Sequence, residues 1–163
     1  MLYQLSIKQS RTYLYSALFI VANLLLPQVV HLIPNGGAIL LPFYFFTLLA
    51  GYKYGFNVGL ITAIVSPLLC NVVMGMPAVA WLPIVLIKSV LAALAAACVA
   101  KWFNKVTLPA IALAVVLYTA VGFIIEWAMS QNIHIALNDI VIGYPGLLLQ
   151  IVGCYFLLKH VLK

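Results

Sequence analysis

Charged residues are scarce in this sequence. They account for 6% of its 163 residues, whereas 67% are hydrophobic. A soluble domain usually carries about 25% charged residues, which cover its surface. The low fraction excludes an ordinary soluble protein and predicts an all-α integral membrane protein. The few basic residues are thinly spread along the chain, so they do not form a patch for nucleic acid.

Several chemical signatures are also missing. The three cysteines, Cys70, Cys98 and Cys154, show no CxxC or Cys/His spacing, so neither a disulfide framework nor a zinc site is indicated. The sequence contains no Ser/His/Asp or HExxH arrangement and no nucleotide-binding motif. We therefore expect no enzymatic activity and no cofactor, and any use of ATP requires a partner protein.

Long apolar runs are abundant by contrast. A membrane-spanning helix needs about 20 mainly apolar residues, and six segments approach or exceed this length. The predicted spans cover residues 13–33, 38–51, 56–75, 78–101, 107–130 and 140–159. The second span is short and lies between PNGG and GYKYG. The whole chain, 1–163, is expected to form one six-helix transmembrane domain.

Lysine and arginine are absent from every second connection between these spans. With six spans, seven basic residues lie on one side of the membrane: Lys8, Arg11, Lys53, Lys101, Lys105, Lys159 and Lys163. Because basic residues concentrate in cytoplasmic loops, both termini are predicted to be cytoplasmic. Lys88 is the exception, since it lies inside the fourth span.

Polar side chains collect in the outer half of the predicted bundle. Counted from the outer end of its span, Lys88 lies roughly 15 Å deep, as do Asn23 and Gln150, whereas Glu126 and Cys70 lie roughly 6 Å deep. Other polar or aromatic residues near this level are Asn71, Trp81, Trp127 and Tyr144. Intramembrane ionisable residues usually face a bundle interior or a watery cavity. The pattern favours an outward-facing pocket with an apolar floor over a channel or a proton relay.

Each of these features has a second interpretation. Lys88 could pair with Glu126 as a structural ion pair. The aromatic residues could form an interfacial belt, and Cys70 could be a small buried hydrophobe. Rows of small residues could serve internal helix packing or a docking face for another membrane protein. These rows are Gly55/Gly59/Ala63, Ser89/Ala93/Ala97 and Ala92/Ala96/Ala100.

The stretch SPLLCNVVMGMP, followed by LPIVLIKSVLAALAAA, extends from Ser66 to Ala97. It resembles the passage between the third and fourth spans in substrate-binding S components of energy-coupling factor (ECF) vitamin transporters. The six spans, the chain length and the short second span after a Gly/Pro loop are similar as well.

The resemblance implies an uptake function in the plasma membrane of a prokaryote. It implies that the chain binds a small vitamin or precursor and delivers it to a membrane coupling protein with two ATPases. The residues it places at the pocket are Lys88, Glu126, Gln150, Asn71, Trp81, Trp127, Tyr144, Asn35 and Cys70. An anionic or heteroaromatic vitamin would suit Lys88. The Cys70 thiolate would act as a metal ligand only if the substrate were a corrinoid containing cobalt.

We expect Lys88 to serve this ligand more than the fold. Two other functions fit a six-span chain of this size. One is a ligand-free scaffold subunit of a cell-shape or envelope complex, which would need no polar pocket. The other is a stand-alone secondary carrier, although the inverted repeats common in such carriers are not evident.

Overall fold

A computed structural model describes residues 2, 4–30, 32 and 36–162, including their side chains except those of Ala38, Asn138 and Asp139. The described chain is helical and contains no strand. Its helices are α1 (Ser10–Val30), α2 (Gly36–Leu40), α3 (Pro42–Tyr54), α4 (Phe56–Met74), α5 (Leu82–Phe103), α6 (Leu108–Ser130), α7 (Ile133–Val141) and α8 (Tyr144–Phe156). A π-helical turn, Leu157–Val161, continues α8. The predicted all-α class is confirmed.

Five of the described helical segments are long and apolar enough to cross a membrane. They are α1, α4, α5, α6 and α8 together with its π-helical turn. The chain is therefore a multi-pass membrane protein, as its composition predicts.

The predicted second span, 38–51, is two helices with a break at Leu41. The Leu41 backbone has a left-handed φ of 46°, which interrupts the regular hydrogen bonds between α2 and α3. Pro42 follows it, and a proline disfavours the helical conformation in the preceding residue. At 13 residues, α3 is only about 20 Å long, shorter than a bilayer core of about 30 Å.

Helix α3 lies at the centre of the bundle, in contact with α1, α4, α5 and α8. Eleven of its 13 residues are buried. A helix that is apolar on every side is usually buried on every side, whereas an amphipathic helix would expose its polar face. The shortest of the predicted spans is thus the core around which the longer helices pack.

The backbones of α3, α4 and α5 touch at three small residues. A Cβ atom added to Gly51 would lie 2.7 Å from the Ala93 carbonyl oxygen, and one added to Gly59 would lie 2.8 Å from the Gly51 Cα. Such close approach needs residues with little or no side chain. In the predicted rows of small residues, Gly59, Ala63, Ser89, Ala92, Ala93, Ala96 and Ala100 are buried. These seven residues therefore serve internal packing, whereas Gly55 and Ala97 of the same rows are half-buried.

Different parts of the chain meet at the two ends of α3. At its C-terminal end, the Leu5 amide donates to the Tyr54 carbonyl at 3.1 Å, and the Tyr52 hydroxyl donates to the Lys105 carbonyl at 2.8 Å. Near its N-terminal end, Gly37, Pro77 and Ile135 line one cavity. The connections that are poor in basic residues therefore meet around this cavity.

The segment SQNIHIALND, expected to be an outer loop, contains helix α7 instead. The predicted sixth span, 140–159, begins later than expected because α7 continues to Val141 and a turn precedes Tyr144. Helix α7 packs on α6 and α8. It covers the cavity end of the bundle, where Ile135 reaches the cavity.

Candidate functional site

A cavity of about 410 Å³ lies between α3, α5 and α6 at this end of the bundle. Ligand pockets for small molecules usually measure about 300–1,000 Å³ and are mainly apolar with a few polar groups. The lining follows that pattern: Gly37, Leu41, Pro42, Phe43, Tyr44, Met76, Pro77, Ala78, Trp81, Ile84, Val85, Lys88, Glu126 and Ile135. The cavity is thus large enough for a small organic ligand.

An ion pair forms the charged part of the cavity wall. The Lys88 ammonium donates a hydrogen bond to Glu126 Oε2, and each of the two residues is only 4% exposed. Two charges in such a place are stable only when each compensates the other. The ion pair that the sequence left open is therefore present, and Lys88 also lines the cavity. That Lys88 serves a ligand more than the fold stays a prediction.

Gly122 makes room for the aliphatic part of Lys88. A Cβ atom added to Gly122 would lie 3.1 Å from the Lys88 Cγ and 3.3 Å from its Cε. Gly122 and Glu126 are four residues apart, so they lie on the same face of α6. The lysine side chain passes over the glycine and reaches the carboxylate one turn further on. Sequence reasoning missed Gly122, although a glycine one turn before an intramembrane acid was a signal that could have revealed it.

The predicted aromatic residues differ in their relation to the cavity. Trp81 lines it while remaining 50% exposed. Trp127 and Tyr144 are 48% and 60% exposed and lie outside the lining, as expected for residues at a membrane interface. The aromatic residues that do line the cavity with Trp81 are Phe43 and Tyr44 of α3. Neither was predicted, because the sequence does not show that α3 faces this space.

The other predicted residues lie near the cavity or away from it. Asn71 donates to the Pro77 carbonyl at 2.7 Å and so holds a loop that lines the cavity. Gln150 is fully buried and accepts a hydrogen bond from the Tyr118 hydroxyl at 2.6 Å, which links α6 to α8. Cys70 is fully buried, with its Sγ 3.6 Å from Met74 Sδ. Asn35 lies outside the described residues.

A buried polar cluster joins four helices below the cavity. Asn23 of α1 donates to Thr47 of α3 and to Ser66 of α4, both at 3.2 Å. Thr47 Oγ1 also lies 3.4 Å from Ser89 Oγ of α5. Thr47 and Ser89 are one helical turn beyond the cavity residues Phe43 and Val85. The cluster therefore fixes the positions of the helices that form the cavity wall.

No group of three or more His, Cys, Asp or Glu residues that could hold a metal ion occurs in the described part of the chain. Among the described residues that line the cavity, the polar side chains are those of Lys88, Glu126, Tyr44 and Trp81. This arrangement can bind a polar edge of a small molecule while the remaining wall covers its apolar part.

No family model, no curated protein and no solved structure matches the chain.

Proposed function

We propose that this protein is the substrate-binding subunit of an uptake system for a small micronutrient, of the ECF type that the Ser66–Ala97 stretch resembles. The observation that carries the proposal is the 410 Å³ cavity with a buried ion pair in its wall. Ionisable residues inside a membrane are costly and usually mark a binding site or a pathway. A scaffold subunit that binds no ligand would have no use for such a cavity.

We further propose that the chain crosses the membrane six times and that both termini are cytoplasmic. The support comes from α2 and α3, which together lead from the cavity end at Gly37 to the end where Tyr54 meets Leu5. Helix α3 is too short to cross a bilayer core alone, but the broken pair of helices adds the missing length. The basic residues then lie on one side, as cytoplasmic residues do.

Reporter fusions test this topology. We expect fusions after Gly36 and His134 to report the outside, and fusions after Asn104 and Lys163 to report the cytoplasm. If α2 and α3 did not cross the membrane, the signals at Asn104, His134 and Lys163 would all reverse, while the signal at Gly36 would stay the same. That reversed set of signals would refute the six-span arrangement.

Transport requires energy that this chain does not supply, since its sequence has no nucleotide-binding motif. We propose that it associates with an ECF membrane coupling protein and two ATPases, as the resemblance implies. The outer-facing cavity would load the ligand, and the partners would drive its release inside.

A single purification tests the ligand and the partners together. The protein, extracted in mild detergent from its native membrane, is expected to carry one small organic molecule together with the coupling protein and ATPases. Mass spectrometry of small molecules and of proteins in the same sample makes both measurements. The matched control is the double variant Lys88→Met/Glu126→Gln, which should lose the small molecule and keep the partner proteins.

A preparation without a bound molecule and without ATPases would contradict the proposal. Recovery of envelope-synthesis proteins in their place would support the scaffold function. A bound molecule without any ATPase would support the stand-alone carrier.

A further inference from the structure

We propose that a groove at the basic end of the bundle binds an anionic phospholipid, with the phosphate at Lys101 and an acyl chain along α5. The basic end is the one where the N-terminal segment meets the C-terminal ends of α3 and α5. It lies opposite the cavity, so this lipid site is independent of the proposed uptake function. The shape, the polarity and the charge of the groove each favour this class of ligand.

The groove consists of two adjoining hollows of about 270 and 250 Å³. Both hollows are lined by the same four residues: Gln4, Gly55, Ala97 and Lys101. Gly55 has no side chain, and Ala97 has only a methyl group and is half-buried. The space is therefore open because these two positions are small, and a larger side chain at position 97 would fill it.

The N-terminal segment forms the wall of the groove that faces α5. The Leu5 amide donates to the Tyr54 carbonyl at 3.1 Å, and the Asn57 side-chain amide donates to the Leu5 carbonyl at 2.8 Å. These two hydrogen bonds hold Leu5 against the end of α3 and the start of α4. The groove is thus a defined feature of the fold.

Polarity changes along the groove as it does along a phospholipid. On α5, the second hollow is lined by Leu94, Ala97, Cys98 and Lys101. Their spacing of three and four residues places them on one face of the helix, over a length of about 10 Å, with Lys101 in the last turn. Leu94 and Phe56, which also lines this hollow, are 44% and 37% exposed. An acyl chain can therefore enter from the membrane while the phosphate stays at the helix end.

The charge of the groove is complementary to a phosphate. None of the described residues forms a hydrogen bond or an ion pair with the Lys101 ammonium. The sequence has two acidic residues. Glu126 lines the cavity at the opposite end, and residue 139 belongs to α7, which covers that end. No described acidic side chain lies at the groove, whereas Gln4 and Asn104 add uncharged hydrogen-bond donors to its lining.

Mixed micelles of defined composition test this site. The protein is stripped of native lipid in a non-ionic detergent, and dioleoyl phosphatidylglycerol or dioleoyl phosphatidylcholine is added in equal amounts. The salt concentration is about 0.5 M, because salt screens the diffuse attraction between exposed charges more than direct contacts. Native mass spectrometry measures the affinity of each lipid, and the two lipids differ only in their headgroups.

The reactivity of Cys98 shows where the lipid binds. Cys98 lines the groove and is exposed, whereas Cys70 and Cys154 are buried, so N-ethylmaleimide should modify Cys98 first. An acyl chain along α5 is expected to slow this modification. Glycerol 1-phosphate, which has no acyl chain, is expected to leave the rate unchanged. This comparison separates a bound lipid from a bound free phosphate.

Phosphatidylglycerol is expected to bind at least about fivefold more tightly than phosphatidylcholine, since one lysine beside an anionic lipid has roughly this effect on affinity. Lys101→Met should remove the difference. Lys105→Met is the matched control and should keep it, because this exposed lysine is not among the described residues that line the groove. Without added lipid, both variants should melt at the same temperature as the wild type.

Ala97→Leu tests the shape of the groove separately from its charge. The larger side chain would fill the space that the two hollows share, so both lipids should bind more weakly than to the wild type. The melting temperature without lipid should change little, because the added atoms enter open space. If this variant does not fold, the two lysine variants decide the question, since both lysines are exposed.

Four results would overturn the lipid site. They are equal affinity for the two lipids, equal effects of Lys101→Met and Lys105→Met, protection of Cys98 by glycerol 1-phosphate alone, and protection of Cys98 by a co-purified protein without lipid. The third result would make the groove a site for a soluble phosphate. The fourth would make it a docking surface for a protein.

Discussion

Lys88→Met is expected to lower the melting temperature of the ligand-free protein by roughly 6–20 °C. Removing one partner of a buried ion pair leaves the other charge uncompensated and costs about 3–5 kcal/mol. For a chain of this size, each kcal/mol corresponds to about 2–4 °C. Because Lys88 and Glu126 are both almost fully buried, water cannot solvate the Glu126 carboxylate after Lys88 is replaced. Thermal unfolding in detergent, followed by intrinsic fluorescence, measures the change.

Two further variants establish the cause. Glu126→Gln alone should also destabilise the protein, whereas Lys88→Met/Glu126→Gln should recover most of the loss because neither of these two positions then carries a charge. Lys101→Met is the matched control, since this exposed lysine lies on the same helix and should change the melting temperature little. If Lys88→Met alone proved as stable as the wild type, the ion pair would not be needed by the fold, and Lys88 would serve the ligand alone.

The double variant also separates folding from binding. It is expected to fold like the wild type and yet to bind no native ligand, because the charges of Lys88 and Glu126, which line the cavity, are gone. This combination would show that the pair has two roles, one in the bundle and one in recognition.

Gly51→Ala is expected to destabilise the bundle by about 1–3 kcal/mol through overpacking. The added methyl group would lie 2.7 Å from the carbonyl oxygen of Ala93 and 3.2 Å from its Cα. These are backbone atoms of α5, so the contact can be relieved only by moving the helices apart. The corresponding loss in melting temperature is roughly 2–12 °C, measured under the same conditions.

Gly153→Ala is the matched control for this change. Its added methyl group would meet the Phe45 ring at 2.8 Å, and a ring can shift where a backbone cannot. We therefore expect a smaller loss than for Gly51→Ala. Equal stability of Gly51→Ala and the wild type would show that α3 and α5 are not in direct backbone contact, contrary to the structure.

The sequence gives each residue a position along its helix, but it does not give the direction in which a side chain points around the helix axis. Lys88 and Gln150 have the same predicted depth. Gln150 nevertheless accepts a hydrogen bond from Tyr118 and does not line the cavity. Lys88 and Glu126 were expected at different depths and form the ion pair nevertheless. The long side chain of a lysine spans this difference, so the length of a side chain matters as much as the position of its Cα.

The sequence by itself determined the membrane environment and the helical class, because these follow from composition and local hydropathy. The break at Leu41, the central place of α3 and the role of Gly122 were decided only by the tertiary structure. Nearly uniform apolar helices give no signal for which face meets which neighbour. Close packing of small residues, such as Gly51 against Ala93, settles that choice, and the cavity lies where the packed helices leave space.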